Sequence, residues 1–394
     1  MATIRVALAA ILISCILLLP PAEKYDSYID TLSHTSMTLK GQAPHSDVAQ
    51  DMYGFRALLT NQDPYALLGP ALKSMGVQWK ASFSSTHPPT AFLVVAPVAL
   101  LPWPVSSVVW AWSMLVLLCL SLRIGLRYSW DVAILVTAVA LYWPPISTSF
   151  DQITIVWLFG LAIAYRYRND RSYLSGVFIA NASFTKLMPA LLLFPFIIRR
   201  RWDAIKGFAL TWLVALGILF VLSPKTLLRY ITTNRANAIE IILRPDNGSF
   251  LLFLYRRAEI AGIFITAVVI LLFLILAIRK YSHGWGGVLS TEEWNIYAYL
   301  AVLIMPITWI FSIAPLFPNL LLLLQDRRWI IRALAVLAFI PPFLVLPWGT
   351  KSTWGLFAFF ILAGSAFALA CTNMTWSTIE IKAPTLEASQ EKNL

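Results

Sequence analysis

Long apolar runs, closed by short basic clusters and interrupted by two polar stretches, make up this chain. The first run, Ile4 to Pro20, has the form of a signal sequence without a clear small-residue cleavage site, so it is read as a retained first span. Pro21 to Pro88 is too polar to cross lipid, since it holds Asp26, Asp30, Lys40, Asp47, Asp51 and Asp63. Within it Val48, Met52, Phe55 and Leu59 recur at helical spacing. That spacing predicts a short amphipathic helix on the membrane surface, with Asp47 or Ser46 as its cap. Thr90 to Trp103 is apolar but short and is broken by Pro97 and Pro102, which fits either a tight span or a re-entrant segment. Further spans are expected near 105–122, 130–146, 152–165, 172–185, 188–198 and 204–222. A second polar stretch covers 223–257, and more spans follow near 258–279, 295–314, 315–324, 329–347 and 354–371.

The expected fold is therefore an all-α integral membrane protein of roughly 10–12 transmembrane helices, each of about 20 residues. It forms one multi-pass domain over residues 1–394, with amphipathic helices in the first outer loop. Sidedness follows from parity. If 90–103 does not cross, Arg123/Arg127, Arg166/Arg168/Arg171, Arg199 to Arg201, Arg279/Lys280 and Arg327/Arg328/Arg332 all fall on one face. Basic clusters mark the cytoplasmic side, so the polar loops 21–88 and 223–257 share the outer face. Both termini lie inside, and the tail 382–394 is expected to be disordered.

Composition strengthens this picture. Apolar residues make up 59% and charged residues 12%, where soluble domains carry about 25% charge. The net charge of +11 comes from clusters bordering apolar runs and does not describe a nucleic-acid groove. Cys15, Cys119 and Cys371 lie in apolar runs and suggest neither a disulfide framework nor a metal site. The four histidines show no metal-ligand spacing, and neither a glycine-rich nucleotide loop nor an Asp-x-Asp motif is present. No cofactor is expected.

Acidic residues avoid the centres of the spans, which argues against a proton-coupled transporter. They concentrate in the first outer loop, where Asp47 and Asp51 share one helix face. A carboxylate held at the water–lipid boundary suits a general base; on spacing alone, a helix cap and a solvated charge are the commoner explanation of such a pair. Cations suited to a lipid phosphate are Arg56, Lys186, Arg244 and the pair Arg256/Arg257. Lys186 stands out because 172–198 is otherwise uncharged. His87 precedes Pro88-Pro89 at the mouth of an apolar segment.

Together these segments resemble the polyprenyl-phosphate-dependent glycosyltransferases of the GT-C superfamily, and among them glycosyltransferase family 87. The resemblance rests on Asp47 to Tyr53, Asp63-Pro-Tyr65, His87-Pro-Pro, Asp151-Gln152, Gly176 with Lys186 and Pro189, and Asn247-Gly-Ser249 with Arg256 downstream. Two positions depart from the family pattern: His87 replaces a tyrosine, and Asp151 a glycine. The resemblance implies a GT-C-like bundle and an inverting transfer of a mannose- or arabinofuranose-like sugar. The donor would be a polyprenyl-phosphate sugar and the acceptor a cell-envelope glycan or glycolipid, at the outer face of the cell membrane. Asp47, with Asp51 as the alternative, takes the catalytic position. Tyr53, Arg56, Tyr65, His87, Gln152, Lys186, Arg244, Asn247, Ser249 and Arg256 are expected to bind substrate. A lipid or lipid-linked sugar flippase is the rival reading, because it shares the helices and basic clusters without needing a catalytic acid.

Overall fold

A computed structural model describes residues 1–21, 27–43, 47–77, 84–150, 152–232, 247–281, 287–305, 308, 310–344 and 352–372. Helices dominate throughout, and among the described residues the only extended pairing is an isolated bridge between Leu67 and Ser84. Four helices there are long and apolar enough to cross a membrane: Val105–Gly125, Trp202–Leu222, Phe250–Leu276 and Thr353–Cys371. Shorter apolar helices fill in between, among them Ala2–Leu17, Trp130–Ala140 and Thr154–Tyr167. The chain is an all-α membrane protein.

The labelled helices are α1 (Ala2–Leu17), α2 (Tyr28–Lys40), α3 (Val48–Leu59), α4 (Leu68–Lys73), α5 (Pro89–Ala99) and α6 (Val105–Leu120). They continue as α7 (Trp130–Ala140), α8 (Pro144–Ser147), α9 (Thr154–Tyr167), α10 (Ser172–Thr185), α11 (Phe194–Ile198) and α12 (Trp202–Leu222). α1 docks on α7 through Arg5–Asp131 at 2.7 Å, and Tyr142 donates to the Leu12 carbonyl. The segment 188–198, expected as a span, is a 3-10 turn followed by the short α11. Its length of about 20 Å is well short of the hydrocarbon core.

α9, α10 and α12 pack backbone to backbone. A Cβ on Gly176 would stand 1.9 Å from the Ala204 carbonyl oxygen, and one on Gly207 would stand 2.2 Å from that of Tyr173. Gly160 meets the Phe178 carbonyl in the same way. Small residues permit this approach where lipid supplies no hydrophobic drive between helices.

The bundle has two chemically distinct ends. At one end Arg201 donates to the carbonyls of Arg168, Asn169 and Gly287, and Arg168 donates to that of Leu289. Beside them Arg199 and Glu293 form a buried ion pair at 2.6 Å. Arg328 binds Asp326 and the Leu369 and Ala370 carbonyls, while Gln325 donates to Tyr128. α9 runs from this end to Gln152, and α12 runs from it toward Arg229 and Tyr230. These far ends gather around α3.

α3 does not have one open face. Val48 to Gly54 are all buried, as are Ala57 and Leu58. The expected helix is present, but the expected surface amphipath is a helix enclosed by its neighbours. α5 packs along it, with Phe92 filling the place of a Gly54 side chain. Arg56 donates to the Ala99 and Leu101 carbonyls at 2.5 and 2.6 Å. Both ends of α5 thus lie against α3, and at about 16 Å it is half the thickness of a bilayer core.

Further along, the helical run Phe250–Tyr281 is interrupted at Glu259, whose φ of 46° and ψ of −121° are not helical. A Cβ on Gly262 would meet the Leu254 carbonyl oxygen at 2.3 Å. Residues eight apart in a straight helix lie about 12 Å apart, so the chain doubles back here.

Candidate functional site

The site begins with the two carboxylates of α3. Asp47 occupies the N-cap position but makes no capping bond; its carboxylate accepts a hydrogen bond from Gln152 Nε2. Ser46, the other expected cap, lies outside the described residues. Gln152 is itself buried, and its carbonyl accepts from Trp110 Nε1 of α6 at 3.3 Å. The amide therefore has a fixed backbone behind it. Asp47 keeps partial exposure, whereas Asp51 is wholly buried, with both oxygens within 3.0 Å of His87 Nδ1.

The chain on either side of His87 is pinned. Its N–H donates to Ser85 Oγ at 3.3 Å, and its carbonyl accepts from Tyr65 Oη at 3.1 Å. Burial pushes the Tyr65 phenol up, and nearby Tyr230, Asp51 and Asp63 push the same way, so it remains a proton donor. Asp63 organises this corner. One of its oxygens accepts from the Tyr65 N–H, the other pairs with Arg229 at 3.2 Å, and its carbonyl accepts from Tyr53 Oη.

Lys186 comes from a separate segment of the chain. It sits in extended conformation in the break after α10, outside the helices on either side. Thr90 of α5 donates to the Phe184 carbonyl at 2.9 Å and so fixes that break beside the start of α5. Lys186 Nζ donates to Ser312 Oγ at 3.2 Å and lies 5.4 Å from the centre of the Phe311 ring. Burial lowers its pKa to about 8, against the pull of the Asp47 carboxylate. That pull places the two charges in one electrostatic neighbourhood.

Other expected residues make contacts within the fold. Arg56, expected to meet substrate, directs Nε and a terminal nitrogen at the two carbonyls that end α5. A helix end carries unpaired carbonyls, and a guanidinium satisfies them well. Asn247 and Ser249 are fully buried. Asn247 Oδ1 accepts from the Ser249 and Thr308 N–H groups, and Ser249 Oγ accepts from that of Leu252. They build a turn that ties the Phe250–Tyr281 helix to the segment carrying Ser312. Arg256 donates to the Asn247 carbonyl on that turn. Arg244 lies outside the described residues. The structure thus brings Asp47, Asp51, His87, Gln152, Tyr65 and Lys186 together and leaves Arg56, Asn247 and Ser249 in supporting positions. Ser312, Thr90 and Arg229 join the site without any signal in the sequence, because each is an ordinary polar residue whose partner is far along the chain.

The fold and the site thus define an all-α membrane protein that holds a half-open carboxylate against an amide, with a buried ammonium in the same electrostatic neighbourhood. The sequence pattern of glycosyltransferase family 87 matches residues 86–312, more than half of the chain. The chain belongs to this family. It is also similar, at 27% identity over 276 residues, to a polyprenol-phosphate-mannose-dependent alpha-(1-2)-phosphatidylinositol pentamannoside mannosyltransferase of Mycolicibacterium smegmatis. That alignment covers 64% of this chain, and the chain spans 64% of the relative's length. No solved structure matches the chain. The family match includes His87, Gln152, Lys186 and Ser312 and begins after the two carboxylates of α3.

Proposed function

We propose that this protein transfers a sugar from a polyprenyl-phosphate donor to a hydroxyl of a cell-envelope glycan or glycolipid, with inversion, at the outer face of the cell membrane. Family membership supports the reaction class, and the printed activity of the mycobacterial relative supports a polyprenyl-phosphate mannose donor. The observation that carries the reading is Asp47, held by Gln152 and opposed by Lys186.

In this mechanism the acceptor hydroxyl approaches Asp47, which removes its proton. The oxygen attacks the anomeric carbon from the face opposite the phosphate. A carbon–oxygen bond forms as the bond to the phosphate oxygen breaks, and the electron pair leaves with polyprenyl phosphate. Charge grows on that phosphate, where the Lys186 ammonium offsets it; fixed charges of this kind are worth more in a site shielded from water. Asp47 is preferred to Asp51 because it retains exposure, while Asp51 is sealed behind His87. Placement at the outer face rests on the basic clusters gathered at the other end of the bundle.

Asp47→Asn keeps the shape of the side chain and its contact with Gln152 but removes the base. With purified protein, a polyprenyl-phosphate mannose and a glycolipid acceptor, release of polyprenyl phosphate should fall at least about 100-fold. Wild-type turnover in Asp47→Asn would exclude Asp47 as the base.

A further inference from the structure

We infer that His87 directly contacts the phosphate of the bound lipid and that Asp51 is its positioning residue. The inference rests on the reading above that a phosphate-bearing lipid occupies this site. Asp51 is wholly buried, and the imidazole of His87 is the one group among the described residues that hydrogen-bonds its side chain. A buried carboxylate persists when a positive partner and hydrogen bonds satisfy it. In the imidazolium form both ring nitrogens donate. Nδ1 is taken by Asp51, and the backbone on both sides is fixed by Ser85 and Tyr65. Nε2 has no partner among the described residues and is not sealed from solvent. It is therefore an oriented donor still free to bind.

Its surroundings indicate what it would bind. Asp51 lies one helical turn after Asp47, and residues so spaced have Cβ atoms about 5–6 Å apart. Thr90, three residues beyond His87, is bonded to the chain two residues before Lys186. The imidazole and the ammonium thus sit on segments joined near the start of α5, each in the neighbourhood of the α3 turn that carries Asp47. A donor between them would have its phosphate met from two directions and its anomeric carbon left near Asp47. Asp51 touches no substrate in this arrangement; it holds the ring in place.

The test measures binding without acceptor, using full-length protein in nanodiscs. The probes are polyprenyl phosphate and a polyprenol of equal chain length. The wild-type protein should prefer the phosphate, and His87→Gln should reduce that preference about tenfold with polyprenol binding unchanged. Asp51→Asn/His87→Gln, which removes the buried charge together with its partner, should show the same preference as His87→Gln alone. A preference unchanged in His87→Gln, or an equal loss for both lipids, overturns the contact. A further drop in the double variant overturns the positioning role of Asp51. Wild-type protein that binds the phosphate lipid selectively but transfers no sugar counts against the transferase reading alone. Wild-type protein that binds both lipids equally counts against this inference.

Discussion

At the scale of single residues, Asp47 and Asp51 have the same chemistry and different surroundings. One meets an amide and keeps access to solvent; the other is enclosed and paired with an imidazole. Their i, i+4 spacing was legible in the sequence, as was the oddity of Lys186 in an apolar stretch. Which acid is open was not, because the burial of Asp51 comes from residues of a different segment. The same holds for Ser312, whose partner Lys186 is 126 residues away. Lys186 also gives a pH prediction. Its pKa, lowered by burial to about 8, means the ammonium is charged below that pH and neutral above it. Binding of polyprenyl phosphate should therefore weaken about tenfold as pH rises from about 7 to about 9. Lys186→Gln should bind weakly and lose that slope, and titration of lipid binding across this range measures both.

At the scale of elements, residues expected to bind substrate also make contacts that join helices. Arg56 joins α3 to the C-terminal end of α5. Arg56→Ala should lower the stability of the solubilised protein by about 2 kcal/mol, the range for hydrogen bonds to a charged group. Its KM for donor should stay at the wild-type value; a rise in KM with stability intact would return Arg56 to the substrate site. The glycines of α10 and α12 make a sharper case. A methyl on Gly176 would meet backbone at 1.9 Å, which no side-chain rotation relieves. Gly176→Ala should cost about 3 kcal/mol, the upper end for overpacking, seen as a large drop in thermal midpoint. Helical periodicity located α3 at Val48–Leu59 because its apolar stripe is regular. It misjudged the opposite face because Asp51 is buried against His87, a partner from another segment that periodicity does not count.

At the scale of the whole molecule, the separation of a basic end from the α3 end makes sidedness testable. In a background lacking Cys15, Cys119 and Cys371, Lys73→Cys and Arg171→Cys place thiols at exposed positions near the two ends. A membrane-impermeant maleimide applied to intact cells should label Lys73→Cys and spare Arg171→Cys; the reverse pattern would put the site in the cytoplasm. Apolar runs and basic clusters made the membrane architecture readable from the sequence, since lipid demands both. The exact crossings were harder to read, because hydropathy registers composition and not direction. Glu259 shows why. A continuous rod from Phe250 to Tyr281 would measure about 48 Å, far more than a core of about 30 Å requires. With the reversal at Glu259, residues 250–258 form a short stub and only 260–281, about 33 Å, can traverse the hydrocarbon. The backbone torsions of one residue thus decide how much of this apolar run is a pass and how much is a bracket beside it.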